Sequence, residues 1–384
     1  MTSPEHILYI TRWYPNEDNP QLGIFIRKQA KAASLYCCVS VLNVIAVKPG
    51  DFLVEAESNT EGNFSETYIF YKQSSIRLIS YLRFIKAHFY GYNYISKNYG
   101  KPQLMQVNVM LGLSLVALLL YYRHKIPYLV SEHWHGFVSN KFEKLSYSVN
   151  KLLLFTASKA SAIITVSEFL KKGMLKYGFN AKFLVVPNIV ESKPAQISSK
   201  NDKFIFLTVA DLDDEIKNIS SVINSLAAIK SSGQTGFQYH IIGSGKDADK
   251  LFKISQVSGF NDDEIVFHGL QSNDYVLDFL NRADCIIINS FYETFSVIAA
   301  EALLAGKPLI CTKCGGIDDF VDNECGILIE PGNNLQLQNA IIAMLQNARH
   351  YDSKKLKQKV SMRFNSDVIG KQLNEIYRSY IGLK

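Results

Sequence analysis

The chain has little of what would set it outside ordinary globular proteins. Its 384 residues include six cysteines, too few and too unevenly spaced for a disulfide framework. The one Cys-x-x-Cys, Cys311 and Cys314, has no second pair and no His pair at ligand spacing, so no zinc site is expected. The cysteines read instead as small apolar residues buried in a reducing compartment. No apolar run approaches the roughly 20 residues of a membrane-spanning helix; the longest, 109–122, has 14. The opening Met1-Thr2-Ser3-Pro4-Glu5-His6 lacks the basic stretch of a secretory leader, and a cytoplasmic protein is expected. Charged residues make up 20% against 47% apolar, which excludes a disordered or coiled-coil chain. Neither a Gly-x-Ser-x-Gly elbow nor a Gly-x4-Gly-Lys-Ser/Thr loop occurs, and Gly243-Ser244-Gly245 lacks the third glycine of a dinucleotide fingerprint. Serine hydrolases, P-loop NTPases and nicotinamide oxidoreductases are thereby set aside.

Acid is scarce in the first half. Up to residue 190 there are 11 Asp and Glu against 21 Lys and Arg; beyond it, 24 against 20, and the two parts give the overall charge of +6. Such asymmetry suggests that the N-terminal half faces something anionic. Residues 71–101 are the sharpest case. They carry Lys72, Arg77, Arg83, Lys86, Lys97 and Lys101 with no acid, interleaved with Phe84, Phe89, Tyr90, Tyr92 and Tyr94. This suits an interfacial helix on the anionic inner face of a membrane, or the solvated face of a helix over a core. Nucleic acid is not expected, because no recognised motif accompanies the charge.

What is present is a regular alternation of short apolar runs with helical segments. Strands are expected at 6–11, 39–47, 103–107, 127–133, 162–167 and 183–187, then at 203–210, 238–243, 264–269, 284–290, 308–312 and 326–330. Runs such as Phe204-Ile205-Phe206-Leu207 and Cys285-Ile286-Ile287-Ile288 imply burial on both faces, the mark of a parallel sheet covered by helices. Helices are expected at 219–231, 296–305 and 367–381. The polar, Pro- and Ser-containing stretch 191–202 reads as a linker. The expected architecture is α/β, with two Rossmann-like doubly wound domains, 1–190 and 203–365, and a ligand cleft between them.

The chemistry concentrates in Asn289-Ser290-Phe291-Tyr292-Glu293-Thr294-Phe295-Ser296. A buried strand ends here and a helix begins near Ser296, stopping at Gly306-Lys307-Pro308. Glu293 then lies on the loop and Glu301 inside the helix, eight residues on, so that both acids can border one cleft. The amides of Thr294, Phe295 and Ser296 form a helix N-terminus suited to phosphate. Lys217, in Glu215-Ile216-Lys217-Asn218, is a fixed ammonium able to neutralise charge on a leaving diphosphate. In Ser131-Glu132-His133-Trp134, His133 at a strand end can hydrogen-bond a sugar hydroxyl.

The block Glu293-Thr294-Phe295-Ser296-Val297-Ile298-Ala299-Ala300-Glu301, with Gly315-Gly316-Ile317 after it, closely resembles the retaining glycosyltransferases of family four, which adopt the GT-B fold. Arg12-Trp13-Tyr14-Pro15 and Gln21-Leu22-Gly23-Ile24-Phe25 look like that family's opening. Val185-Val186-Pro187-Asn188, Ile241-Ile242-Gly243-Ser244-Gly245, Val266-Phe267-His268-Gly269 and Gly326-Ile327-Leu328-Ile329 are similar to its later strand ends. The resemblance implies a nucleotide-diphosphate sugar, UDP- or GDP-linked, as donor and a glycan or lipid-linked acceptor in surface polysaccharide synthesis. It implies no tightly bound cofactor and no required metal. Glu293, Lys217 and His133 would then serve catalysis. Glu301, Gly23, Thr294, Phe295, Ser296, Gly243 and Ser244 would hold the donor. Helix 366–384 would cross back to the first domain. One position departs: Asp211 stands where the family usually has Arg. Arg12 or Arg27 is expected to take over that role. Asp211-Leu212-Asp213 otherwise reads as an acidic turn, or as a Mg/Mn-binding Asp-x-Asp. A nucleotide-sugar epimerase of the same fold and a non-catalytic sugar-nucleotide-binding subunit are the alternatives.

Overall fold

The computed structural model describes residues 5–17, 19–47, 54–193 and 202–381. The chain divides into two compact units, 1–189 with 366–384, and 190–365. Most of the stretch expected as a linker, 194–201, lies outside the described residues.

In the first unit, β1 (His6–Thr11), β2 (Cys38–Val47), β3 (Val54–Glu61), β4 (Phe64–Lys72), β5 (Leu104–Asn108), β6 (Tyr128–Glu132), β7 (Ala162–Thr165) and β8 (Phe183–Val185) form one sheet. Its strand order is β3-β4-β2-β1-β5-β6-β7-β8. Helices α1 (Ile24–Ala33), α2 (Arg77–Asn98), α3 (Ser114–His124), α4 (Tyr147–Lys159) and α5 (Glu168–Lys176) connect the strands. Every residue of β1, β5, β6 and β7 is buried, as a parallel sheet covered on both faces requires.

This sheet is not parallel throughout. β3 runs antiparallel to β4, closing on the two-residue turn Gly62-Asn63 with Gly62 at φ 59°. The expected strands omit this hairpin because Ser58-Asn59-Thr60-Glu61 is polar and exposed and carries no apolar run. The readable signal was the Gly-Asn pair followed by the alternating Phe64-Ser65-Glu66-Thr67-Tyr68.

The second unit holds a six-stranded sheet of β9 (Phe204–Val209), β10 (Phe237–Ile242), β11 (Ile265–Phe267), β12 (Cys285–Ile288), β13 (Leu309–Thr312) and β14 (Gly326–Ile329). All its ladders are parallel, in the order β11-β10-β9-β12-β13-β14. The helices are α6 (Asp214–Lys217), α7 (Ile219–Ser231), α8 (Ala248–Val257), α9 (Asn273–Arg282), α10 (Val297–Leu304), α11 (Asn334–Asn347) and α12 (Ser353–Ser361). The chain winds outward from β9 through β10 to β11, then restarts at β12 on the other side. That reversal creates a crevice at the carboxyl ends of β9 and β12, where open α/β sheets bind ligands.

The last helix, α13 (Ser366–Tyr380), belongs to the first unit although residues 190–365 intervene. Its Gly370 lies so close to the Ala32 carbonyl of α1 that a Cβ would not fit. Tyr377 reaches the core, its hydroxyl 2.5 Å from that of Tyr9 and donating to Gln106 Oε1 at 2.7 Å. Five of the six cysteines are buried and all are free. Among the described residues, no helix is long and apolar enough to cross a membrane.

Candidate active site

The crevice of the second unit gathers Lys217 and Glu293. Lys217 ends α6, the single turn after β9, and Asn218 at φ 49° breaks that turn before α7. The turn is tied to the end of β12 by two bonds: Asn289 Nδ2 donates to the Asn218 carbonyl at 3.0 Å, and the Phe291 amide to the Ile216 carbonyl at 2.8 Å. Lys217 Nζ thereby stands 2.6 Å from Glu293 Oε1, which also accepts from the Ser290 hydroxyl at 2.8 Å. Burial alone would lower the lysine, but Glu293 and then Asp211 outweigh it and hold its pKa above the ordinary value. The ammonium is therefore permanently charged while 22% of the side chain stays accessible, so a ligand anion can compete for it.

Glu293 is positioned by backbone. Its amide donates to the Cys314 carbonyl at 3.0 Å and its carbonyl accepts from the Gly316 amide at 2.7 Å, forming a bridge with Gly315. Gly316 is obligatory in size: a Cβ there would collide with the Thr294 carbonyl. Phe295 is buried against Phe320 and Phe364, with ring centroids 5.2 Å away in each case. Ser296 caps α10 at φ 65° and ψ 82°, a left-handed conformation costly for a residue with a Cβ. Its hydroxyl is buried with no hydrogen-bond partner among the described residues. Backbone strain and an unpaired buried hydroxyl at a helix start mark this segment as a candidate binding element. Glu301 is buried within α10.

Gly243 and Ser244 shape the neighbouring strand ends. Gly243, at φ 141°, lies against the Ala210 carbonyl with no room for a Cβ, and the Ser244 carbonyl accepts from the Leu212 amide at 2.9 Å. Asp211 is exposed, while Asp213 pairs with Lys246 at 3.1 Å. Among the described residues, no three His, Cys, Asp or Glu side chains are grouped as metal ligands.

The remaining candidates lie in the first unit, at the carboxyl ends of β1 and β6. Gly23, at φ 64°, caps α1 so close to the Trp13 carbonyl that a side chain is excluded. His133 follows β6, its ring 4.6 Å from that of Phe25 on α1. Nε2 lies 3.1 Å from the Ser131 hydroxyl, and Nδ1 is buried without a partner among the described residues. Burial pushes its pKa down to about 3, so the imidazole is neutral at working pH. Arg12 extends to the turn at Gly112. Arg27 is bound at both ends of its fork to Glu66 of β4, Nε–Oε1 2.8 Å and Nη2–Oε2 3.0 Å.

Three features escaped the sequence reading. Ser290 was in view, but nothing in one dimension tied its hydroxyl to Glu293. Glu66, 39 residues from Arg27, carries no local signal. Glu132 precedes His133 and is fully buried without a cationic partner among the described residues. Oε1 accepts from the His133 and Trp134 amides at 2.9 Å each and Oε2 from the Met110 amide at 3.2 Å.

Comparison with known proteins places this architecture. Residues 190–361 match the model for Glycosyl transferases group 1, and residues 49–193 that for Glycosyltransferase Family 4. The structure is similar to sucrose-phosphate synthase from Thermosynechococcus elongatus, with TM-score 0.78, 19% identity and 98% of both chains covered. It is also similar to HepE of Anabaena in complex with UDP-glucose, with TM-score 0.73 and 16% identity over 97% of this chain and 99% of that one. In sequence, an uncharacterized glycosyltransferase of Methanocaldococcus jannaschii is 24% identical over 279 residues, 66% of this chain and 70% of that protein. The chain is a glycosyltransferase of the GT-B fold. It belongs to the family-four, group 1 enzymes, and the matches favour neither the epimerase nor the non-catalytic alternative.

Proposed function

We propose that the protein transfers a sugar, with retention of configuration, from a nucleoside-diphosphate sugar to a glycan or lipid-linked acceptor in surface polysaccharide synthesis. The reading rests on one observation above the others: a charged lysine, a carboxylate and a strained helix start with an unpaired buried hydroxyl among the described residues share one strand-end crevice. The uridine nucleotide sugar in the HepE complex supports a UDP-linked donor. The diphosphate would lie at the amides of Thr294, Phe295 and Ser296, with Lys217 turning from Glu293 toward its oxygens. Glu293 would then accept hydrogen bonds from the sugar, and Glu301 from the ribose. Gly243, Ser244 and Gly23 would supply close backbone approach. The bond from the anomeric carbon to the diphosphate oxygen breaks, and the acceptor oxygen bonds to that carbon on the same face. Its proton passes to the departing phosphate oxygen, so no separate base is needed. His133, neutral and with Nδ1 unmatched, would orient a sugar hydroxyl.

A panel of nucleotide sugars, read by nucleoside-diphosphate release and by the anomeric configuration of the product, tests the reading. Lys217→Ala and Glu293→Gln should each lower kcat/KM by about 100-fold or more with unchanged circular dichroism; near-normal turnover in both would refute it. Loss of activity with a chelator and its return with Mn²⁺ would instead make Asp211 and Asp213 a metal site.

The acceptor side carries a finer proposal, docking on an anionic membrane. Ile76, Leu78 and Leu82, at and just before the start of α2, are 60%, 69% and 56% exposed, beside the basic Arg77 and Lys86. Exposed apolar groups among cations suit a lipid interface. Co-sedimentation with phosphatidylglycerol vesicles should occur and should fall in Leu78→Ser/Leu82→Ser; equal recovery without vesicles would remove the proposal.

A further inference from the structure

The face of the first sheet beneath α1 continues beyond that helix. On β4, Glu66, Tyr68, Phe70 and Lys72 alternate onto one face. The ladder sets Ile45 and Val47 of β2 beside Phe70 and Lys72, and Glu57 of β3 opposite Tyr68. With Asn59 and the loop at Asn16 and Glu17, this face lines a cavity of about 970 Å³. That is at the upper end of small-molecule sites, roughly 300–1,000 Å³.

The groups on its wall define what fits. Arg27 lines the cavity but is held by Glu66, whose Oε1 also accepts from the Tyr14 hydroxyl at 2.6 Å. Among the described residues, the other wall charges are Lys72 with Glu17 and Glu57, accompanied by the amides of Asn16 and Asn59. Among these described groups a phosphate would approach two carboxylates with one ammonium to offset them, which is unfavourable. A hydrocarbon would strand the amides and charges without hydrogen bonds. A neutral polyol answers every one of these groups, because a hydroxyl both donates and accepts. The rings of Tyr68 and Phe70 add flat apolar surface for the C–H face of a sugar.

We propose that this cavity is a carbohydrate subsite that takes an uncharged, multi-ring end of the acceptor. Its assignment to the acceptor rests on the transfer reading above; its affinity for carbohydrate does not.

Calorimetry on the full chain tests it, with maltotriose and chitotriose as neutral probes and glucose 6-phosphate and inorganic phosphate as charged ones. A neutral trisaccharide should bind, and the double substitution Glu57→Gln/Asn59→Ala, at two exposed strand positions, should weaken it at least about tenfold. The melting temperature serves as the folding check. Failure of both trisaccharides to bind at about 10 mM, undiminished binding in the variant, or preference for the phosphates would each overturn the subsite. In transfer assays, the variant should raise acceptor KM about tenfold more than donor KM. An unchanged acceptor KM in an active enzyme refutes the subsite alone, whereas trisaccharide binding in a chain that accepts no nucleotide sugar refutes the activity alone.

Discussion

Glu132 offers a test that needs no substrate. Its carboxyl is fully buried, and burial raises its pKa to about 7, against 4.5 for an ordinary glutamate, despite the three backbone amides that favour the anion. A folded-state pKa above the unfolded one means that the native protein binds more protons between those values. The stability that Glu132 contributes is therefore complete below about pH 4.5 and is lost as pH rises through 7. A gap of about 2.5 pH units corresponds to roughly 3 kcal/mol, most of it lost between pH 5 and 8. Glu132→Gln removes that slope. Its amide oxygen still accepts from His133 and Trp134, but its NH2 meets the Met110 amide donor to donor. That adds a pH-independent cost of about 1–3 kcal/mol. The assay is urea unfolding followed by tryptophan fluorescence at several pH values. The protein has two tryptophans, Trp13 and Trp134, and both lie in the first unit, so the signal isolates the unit that holds Glu132. Buried histidines pull the other way: His88, pushed down to about 4, and His133, to about 3, lose stability as pH falls below 6.5. The difference between wild type and variant cancels them. Parallel curves for the two proteins would refute the reasoning.

Further outcomes follow from the same geometry. Gly316→Ala pushes a Cβ into the Thr294 carbonyl and should weaken UDP binding at least about tenfold, read by calorimetry; unchanged affinity would separate this backbone from the donor. Tyr377→Phe removes the hydroxyl shared with Tyr9 and Gln106 and should cost the first unit about 1–3 kcal/mol, seen as a lower urea midpoint in tryptophan fluorescence. Since burial keeps His133 neutral, no inflection between pH 5 and 9 in kcat/KM should disappear in His133→Asn; one that does would place its pKa near neutrality.

Where each element has its own apolar signature, the fold was readable in advance. β1 and β12 run apolar because both their faces are covered, and helix 219–231 coincides with α7. β3 lay beyond that signal, because a strand with solvent on its residues has no apolar pattern to display. The same edge builds the cavity wall from Glu57, Asn59 and Lys72. Thus the element least visible in one dimension shapes a cavity of the first unit.

The site shows the same division. Glu293 and Lys217 were singled out because the motifs around them resemble those of family four, which gives each a chemical role. Their ion pair was not, since 76 residues separate them and only the reversal of strand order between β9 and β12 brings them together. That pairing changes how the lysine works. An unpaired ammonium in the crevice would attract any anion, and a lysine already 2.6 Å from Glu293 exchanges one partner for another. On the proposed reading the diphosphate would gain the ammonium as the carboxylate gained the sugar hydroxyls, so neither charge would be left bare when the donor entered. Replacing both residues should therefore cost less than the sum of the single losses in kcat/KM. Strict additivity in that double-mutant cycle would mean that the two side chains act independently in the reaction.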